Sequence, residues 1–160
     1  MLRLLEKIIN KFLLFQYKYF EKNVSIGKGT SIRSGFYART CGSGKIIIGR
    51  NCFINRFFSA TAFSLIEIGD DTIIGENVKI YDHNHCFNGK GKIMSQGFRI
   101  EDVKIGSNVW IGSGVIILKG VSIGDNCVIG AGCIVTSNIE NNTICFQNRE
   151  LCVNPINYRE

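Results

Sequence analysis

Proline is nearly absent from this chain, with one residue against 18 glycines in a sequence of 160. Proline-rich and collagen-like structures are thereby excluded, and turns must be made by glycine and short polar residues. Charge is also sparse, at 20% of residues. The net charge is +6, yet residues 1–22 hold much of it, with Arg3, Lys7, Lys11, Lys18 and Lys22 against Glu6 and Glu21. The rest shows no cluster of Lys and Arg interleaved with aromatics, so nucleic acid is not an expected partner. An anionic small molecule stays open. No run of 18 apolar residues would span a membrane, and the apolar stretch near the N-terminus is too broken by charge for a signal-peptide core. The seven cysteines contain no CxxC pair and no zinc-finger spacing. An odd, unpatterned set points to a reducing, cytosolic compartment rather than a disulfide frame. What remains is 45% hydrophobic, in a length that buries about 70% of the extended chain's surface and so supports one core without staples.

Residues 1–22 read as an amphipathic helix, because at 3.6 residues per turn the five cations share one narrow face. Leu2, Leu5, Ile9, Leu13 and Phe20 fall roughly opposite. Such a helix packs on the domain or on a neighbouring subunit, or lies on an anionic membrane surface as a peripheral contact at the inner face.

From about residue 24 the pattern becomes a repeat of six. Ile105, Ile111, Ile117, Ile123, Ile129 and Val135 form one series, and Val103, Val109, Val115, Val121, Cys127, Cys133 and Ile139 form a second, two residues ahead of it. Earlier copies begin at Ile26-Gly27, Ile48-Gly49, Ile68-Gly69 and Ile74-Gly75, with phase slips near Cys41–Lys45 and Ala60–Ile66. A strict six does not fit a helix face, whereas short strands joined by turns accommodate it. Three hexapeptides per triangular coil predict an all-β parallel solenoid of about five coils, with the two series as stacked core rungs. Cys127 and Cys133 are then small apolar rungs. The division expected is 1–22 as helix, 23–140 as solenoid and 141–160 as a C-terminal extension. Residues 81–101 abandon the period and hold both histidines. An excursion of that length without structure of its own is usually functional, so chemistry is sought there.

The stretches NVWIG (Asn108–Gly112), GDNCVIGAG (Gly124–Gly132) and VKIYDHNH (Val78–His85) resemble the hexapeptide-repeat acyltransferases, in the branch that acetylates galactosides, maltose and surface polysaccharides. The resemblance covers about residues 24–140. It implies a left-handed parallel β-helix, acetyl-CoA as acyl donor, a sugar or polysaccharide acceptor and a homotrimer in the cytoplasm. The hand comes from the resemblance alone, since parallel crossovers are otherwise right-handed.

The resemblance places the catalytic histidine on His85, counted from the preceding rung, with His83 two residues early. A hydroxyl attacks a thioester poorly unless a base takes its proton, and imidazole suits that work near neutral pH. Ser113 matches a serine that meets the thioester, and Ala131 and Thr136 match coenzyme-contacting positions. Trp110 lines the acyl-CoA groove or fills a subunit interface. Asn55 matches an acceptor-binding asparagine, with His83 and Asp82 as further acceptor-side candidates. The pocket otherwise departs from the family: the expected aspartate falls at Phe63, within the aromatic stretch Arg56–Phe63, so a different acceptor is implied. The usual phosphate-binding arginines fall at Leu151 and Asn154, leaving Lys119, Arg149 and Arg159 as candidates by charge. N-acetylation of an amino sugar, or a non-catalytic scaffold, are the alternatives. Two histidines do not complete a three-histidine zinc site, and no metal is expected.

Overall fold

A computed structural model of the chain describes residues 22–148, together with Leu5, Ile8 and Phe12. Those three are helical and exposed. Lys22, the last residue of the expected N-terminal helix, is in a turn, and the rest of that helix lies outside the described residues, as do Arg149 and Arg159.

The described chain winds as a three-sided coil whose rungs are short parallel strands. Its first face stacks Val24–Ile26, Lys45–Ile48, Leu65–Ile68, Val103–Ile105 and Ser122–Ile123. The second stacks Ser31–Ile32, Phe53–Ile54, Ile73–Ile74, Trp110–Ile111, Val128–Ile129 and Ile144–Cys145. The third stacks Tyr37–Thr40, Ser59–Ala62, Lys79–Tyr81, Ile116–Ile117 and Ile134–Val135. The all-β solenoid is as expected, but it does not stop at five coils. A sixth begins where Ile139 bridges to Ile123 and continues through Ile144–Cys145, which pairs with Val128–Ile129.

Both hexapeptide series are buried from Val103 to Val135, Cys127 and Cys133 included, but Ile139 is only partly buried and pairs with Ile123 of the first series rather than continuing the second. The later coils advance 18 residues per turn, as in the bond from Ser107 N–H to Asp125. Earlier ones advance 20 to 22, as between Arg50 and Asp70 or Cys52 and Thr30. The surplus sits at the corner between third and first faces, where flanking strands lengthen to four residues, Tyr37–Thr40 with Lys45–Ile48 and Ser59–Ala62 with Leu65–Ile68. That is the origin of the two phase slips.

The other corners turn by a repeated left-handed residue. Between first and second faces it is Asn51, Asp71, Asn108, Asn126 and Asn142, with φ between 54° and 59°. Asparagine and aspartate tolerate this region better than other side chains with a Cβ. Their amides also bond upward: Asn108 Nδ2 donates to Asn126 Oδ1 at 2.9 Å, and Asn126 Nδ2 to Asn142 Oδ1 at 3.1 Å.

The excursion is more ordered than a structureless loop. It leaves the third coil as an antiparallel hairpin, His83–His85 against Phe98–Ile100, with a 3-10 turn at Ile93–Ser95 near its tip. Gln96 clasps the far end, its Oε1 accepting from Gly89 N–H at 2.7 Å and its Nε2 donating to Gly89 O at 3.1 Å.

Candidate active site

The strand Lys79–Tyr81 alternates, with Ile80 buried in the core. One step further the alternation sends Asp82 inward, where it is completely buried. A charge there is costly unless its lone pairs are filled. The carboxylate accepts from the backbone N–H of Phe63 at 2.9 and 3.0 Å and from that of Ser64 at 2.7 Å. Its Oδ1 lies 3.0 Å from His83 Nδ1. A carboxylate only accepts, so Nδ1–H donates and the lone pair is left on Nε2.

His83 is held on its other sides by aromatics. Its ring is 4.4 Å from Phe63, 5.4 Å from Phe98 and 6.1 Å from Tyr81, centroid to centroid. His85, two residues along the same hairpin strand, is exposed and leans on Phe98 at 4.5 Å. It lines a cavity of about 130 Å³ with Asn84, Cys86, Phe87, Asn88, Arg99 and Lys119. Lys119 is tied to Glu101 in an ion pair.

The remaining candidates fall on other parts of the triangle. Ser113, Ala131 and Asn55 stack at the corner between second and third faces, close enough that a Cβ on Gly112 would lie 2.6 Å from Ala131 N. Ser113 Oγ accepts from Glu76 N–H at 3.2 Å. Asn55 Oδ1 accepts from Arg56 N–H at 2.9 Å. Thr136 is exposed at the corner from which the hairpin leaves. Trp110 faces outward on the second face, between Ile73 and Val128. Within one chain, then, the Ser113 corner and the His85 hairpin are separated by the third face, about 15 Å for four or five extended residues.

The Asp82 to His83 bond, the Phe98 wall and Arg99 were not legible in the sequence, whereas Phe63, which forms the other wall, stands where the family's acceptor-site aspartate was expected. The parity of Asp82 was a usable signal, because it continues the inward phase of Ile80. Among the described residues no three of His, Cys, Asp or Glu are grouped to hold a metal ion, and the six cysteines there are free. No helix among them is long and apolar enough to cross a membrane.

A parallel solenoid of hexapeptide coils with a histidine-bearing hairpin in its middle defines a class of transferases. The bacterial transferase hexapeptide signature of six repeats matches residues 102–137. WbbJ of Escherichia coli K12, named for O-acetyl transfer in lipopolysaccharide biosynthesis, is 32% identical over 136 residues, which span 79% of this chain and 69% of WbbJ. The chain spans about half the length of the other curated relatives it matches. A maltose O-acetyltransferase from Clostridium difficile 630 superposes with a TM-score of 0.70 at 35% identity, over 91% of this chain and 79% of its own. A hexapeptide-repeat acetyltransferase from Vibrio cholerae O1 biovar eltor, solved with acetyl coenzyme A, superposes at 0.63 with 25% identity, over 75% and 67%. The fold is that of the left-handed β-helix acetyltransferases. The chain belongs to the bacterial transferase hexapeptide family and is an acetyltransferase.

Proposed function

We propose that the chain transfers an acetyl group from acetyl-CoA to a sugar hydroxyl, with His85 as general base, in the assembly of a cell-surface polysaccharide or its nucleotide-linked or lipid-linked precursor. The observation that carries this reading is an exposed imidazole at a cavity, on a hairpin braced by a buried carboxylate. His85 takes the hydroxyl proton as the oxygen attacks the thioester carbonyl. The carbon–oxygen bond forms, the carbon–sulfur bond breaks, and the proton passes to the departing thiolate of coenzyme A. Donors near the Ser113 corner stabilise the oxyanion.

The acceptor side comprises His83, Asp82 and Asn55, and the coenzyme side Ser113, Ala131, Thr136 and Trp110. Because one chain keeps the Ser113 corner and the His85 hairpin on opposite sides of a face, a second copy supplies the missing corner. A homotrimer meets that need. Its support is an outward apolar column of Phe53, Ile73, Trp110, Val128 and Ile144 along the second face.

A second reading makes His83 the base, since the Asp82 bond leaves its Nε2 free to take a proton. Single variants separate the two. In a thermal-unfolding titration, acetyl-CoA raises the melting temperature saturably, with about 2.7 kcal/mol of stabilisation at 100 times its dissociation constant. Acceptor-dependent release of coenzyme A falls more than tenfold in His85→Ala. The roles are reversed if His83→Ala abolishes turnover while His85→Ala keeps more than a tenth of it. An absent acetyl-CoA shift removes the donor assignment and favours a scaffold.

A further inference from the structure

The hairpin carries Lys90, Lys92 and Arg99 and, from His83 to Ile100, no carboxylate. Arg99 lies in register with Asn84, the residue between the two histidines. Residues opposed in this way project to one face of a hairpin, so Arg99 stands with Asn84, whereas His85 stands with Phe98 on the other face, and the two residues meet only along the cavity they both border. Arg99 and His85 line the same cavity.

The acids in the neighbourhood are committed elsewhere. Asp82 is buried and filled by Phe63, Ser64 and His83. Glu101 is held by Lys119. Asp102 accepts from Ser64 Oγ at 2.6 Å. Among the described residues no carboxylate pairs with Arg99. The cavity thus holds one offset cation and one that no described carboxylate offsets, with Asn84 and Asn88 also in its lining. A planar guanidinium in such surroundings is suited to bidentate capture of a carboxylate or phosphate.

We propose that Arg99 binds an anionic group on the acceptor, which makes the substrate class of this site an acidic or phosphorylated sugar. This rests on the acetyl-transfer reading with the acceptor hydroxyl at His85. Arg99 holds the ring by its anion while His85 meets a hydroxyl on the same ring. The acetyl group is neutral and gains nothing from Arg99. The residue therefore acts on acceptor affinity rather than on thioester chemistry.

The test is equilibrium binding, by calorimetry or ligand-observed NMR, to the full chain. Galacturonate is compared with galactose, and glucose 1-phosphate with glucose. The wild type binds at least one charged sugar ten times more tightly than its neutral counterpart, and whichever pair shows the larger ratio identifies the anion. Arg99→Gln removes the preference and Arg99→Lys restores part of it, with melting temperatures showing that both variants fold. The proposal is overturned if neither charged sugar outbinds its neutral counterpart, or if the preference survives in Arg99→Gln. Acetyl-CoA titration of the same samples reports separately on the donor. A thermal shift without charge preference sinks the anion site alone, and charge preference without a thermal shift sinks the acetyl-transfer reading.

Discussion

Phe57 occupies a left-handed backbone position, φ 60°, at a corner where the equivalent residues of other coils are Gly35, Asn77, Gly114 and Gly132. A bulky side chain there costs about 1–2 kcal/mol relative to glycine. Its ring is exposed and covers Gly35, where an added Cβ would lie 2.6 Å from it. Phe57→Asn restores the residue that this corner uses one coil later. Differential scanning calorimetry should find the variant more stable by about 1 kcal/mol, or a rise of about 2–4 °C for a domain of this size. A lower melting temperature would mean that the aromatic cover over Gly35 outweighs the backbone strain. Strain kept beside Asn55 is consistent with the acceptor role proposed for that corner, because outliers of this kind gather at binding sites. Asp82 is the opposite case, a polar residue whose inward placement follows from parity and whose charge is fully satisfied.

At the scale of coils and corners, stability depends on how closely one turn approaches the next. Gly69 marks a close backbone approach: a Cβ there would lie 2.6 Å from the backbone carbonyl carbon of Gly106 in the following coil. Backbone cannot withdraw as a flexible side chain would, so Gly69→Ala should cost more than 2 kcal/mol in urea unfolding, above the ordinary range of surface substitutions. A near-neutral result would show that the coils separate locally without loss. The isoleucine and valine rungs were legible in the sequence because a period of six admits no other regular element, and the phase slips marked the wider corner. The sixth coil was not legible, since a shortened turn of 16 residues, as in the Asp125 to Asn141 bond, moves Ile139 out of the series its spacing of six suggested and onto Ile123. Nor was the hairpin: His83-Asn84-His85 has no apolar alternation, and its pairing partner lies beyond a glycine-rich tip. The two histidines were found by rarity and position, whereas Arg99 became visible only when Phe98–Ile100 was laid against them.

Across the whole molecule, the proposed roles of Ser113 and His85, which one chain keeps apart, make assembly a condition for activity on that reading. The exposed column through Trp110 is the surface on which that assembly is expected to depend. Trp110→Glu puts a charge into it at low cost to the monomer, since Trp110 points away from the core. Analytical ultracentrifugation should find the wild type trimeric and the variant dissociated, whereas a variant that stays trimeric but loses the acetyl-CoA thermal shift would put Trp110 in the coenzyme groove instead. A trimer that survives the substitution would move the interface to another face. Solenoids lose order from their ends, because each coil is supported only by its immediate neighbours. The hairpin leaves from the third of six coils, so two coils lie below it and three above. Fraying of a terminal turn therefore stops short of His85, and the chemistry proposed there is insulated by its place in the stack rather than by any bond made to it.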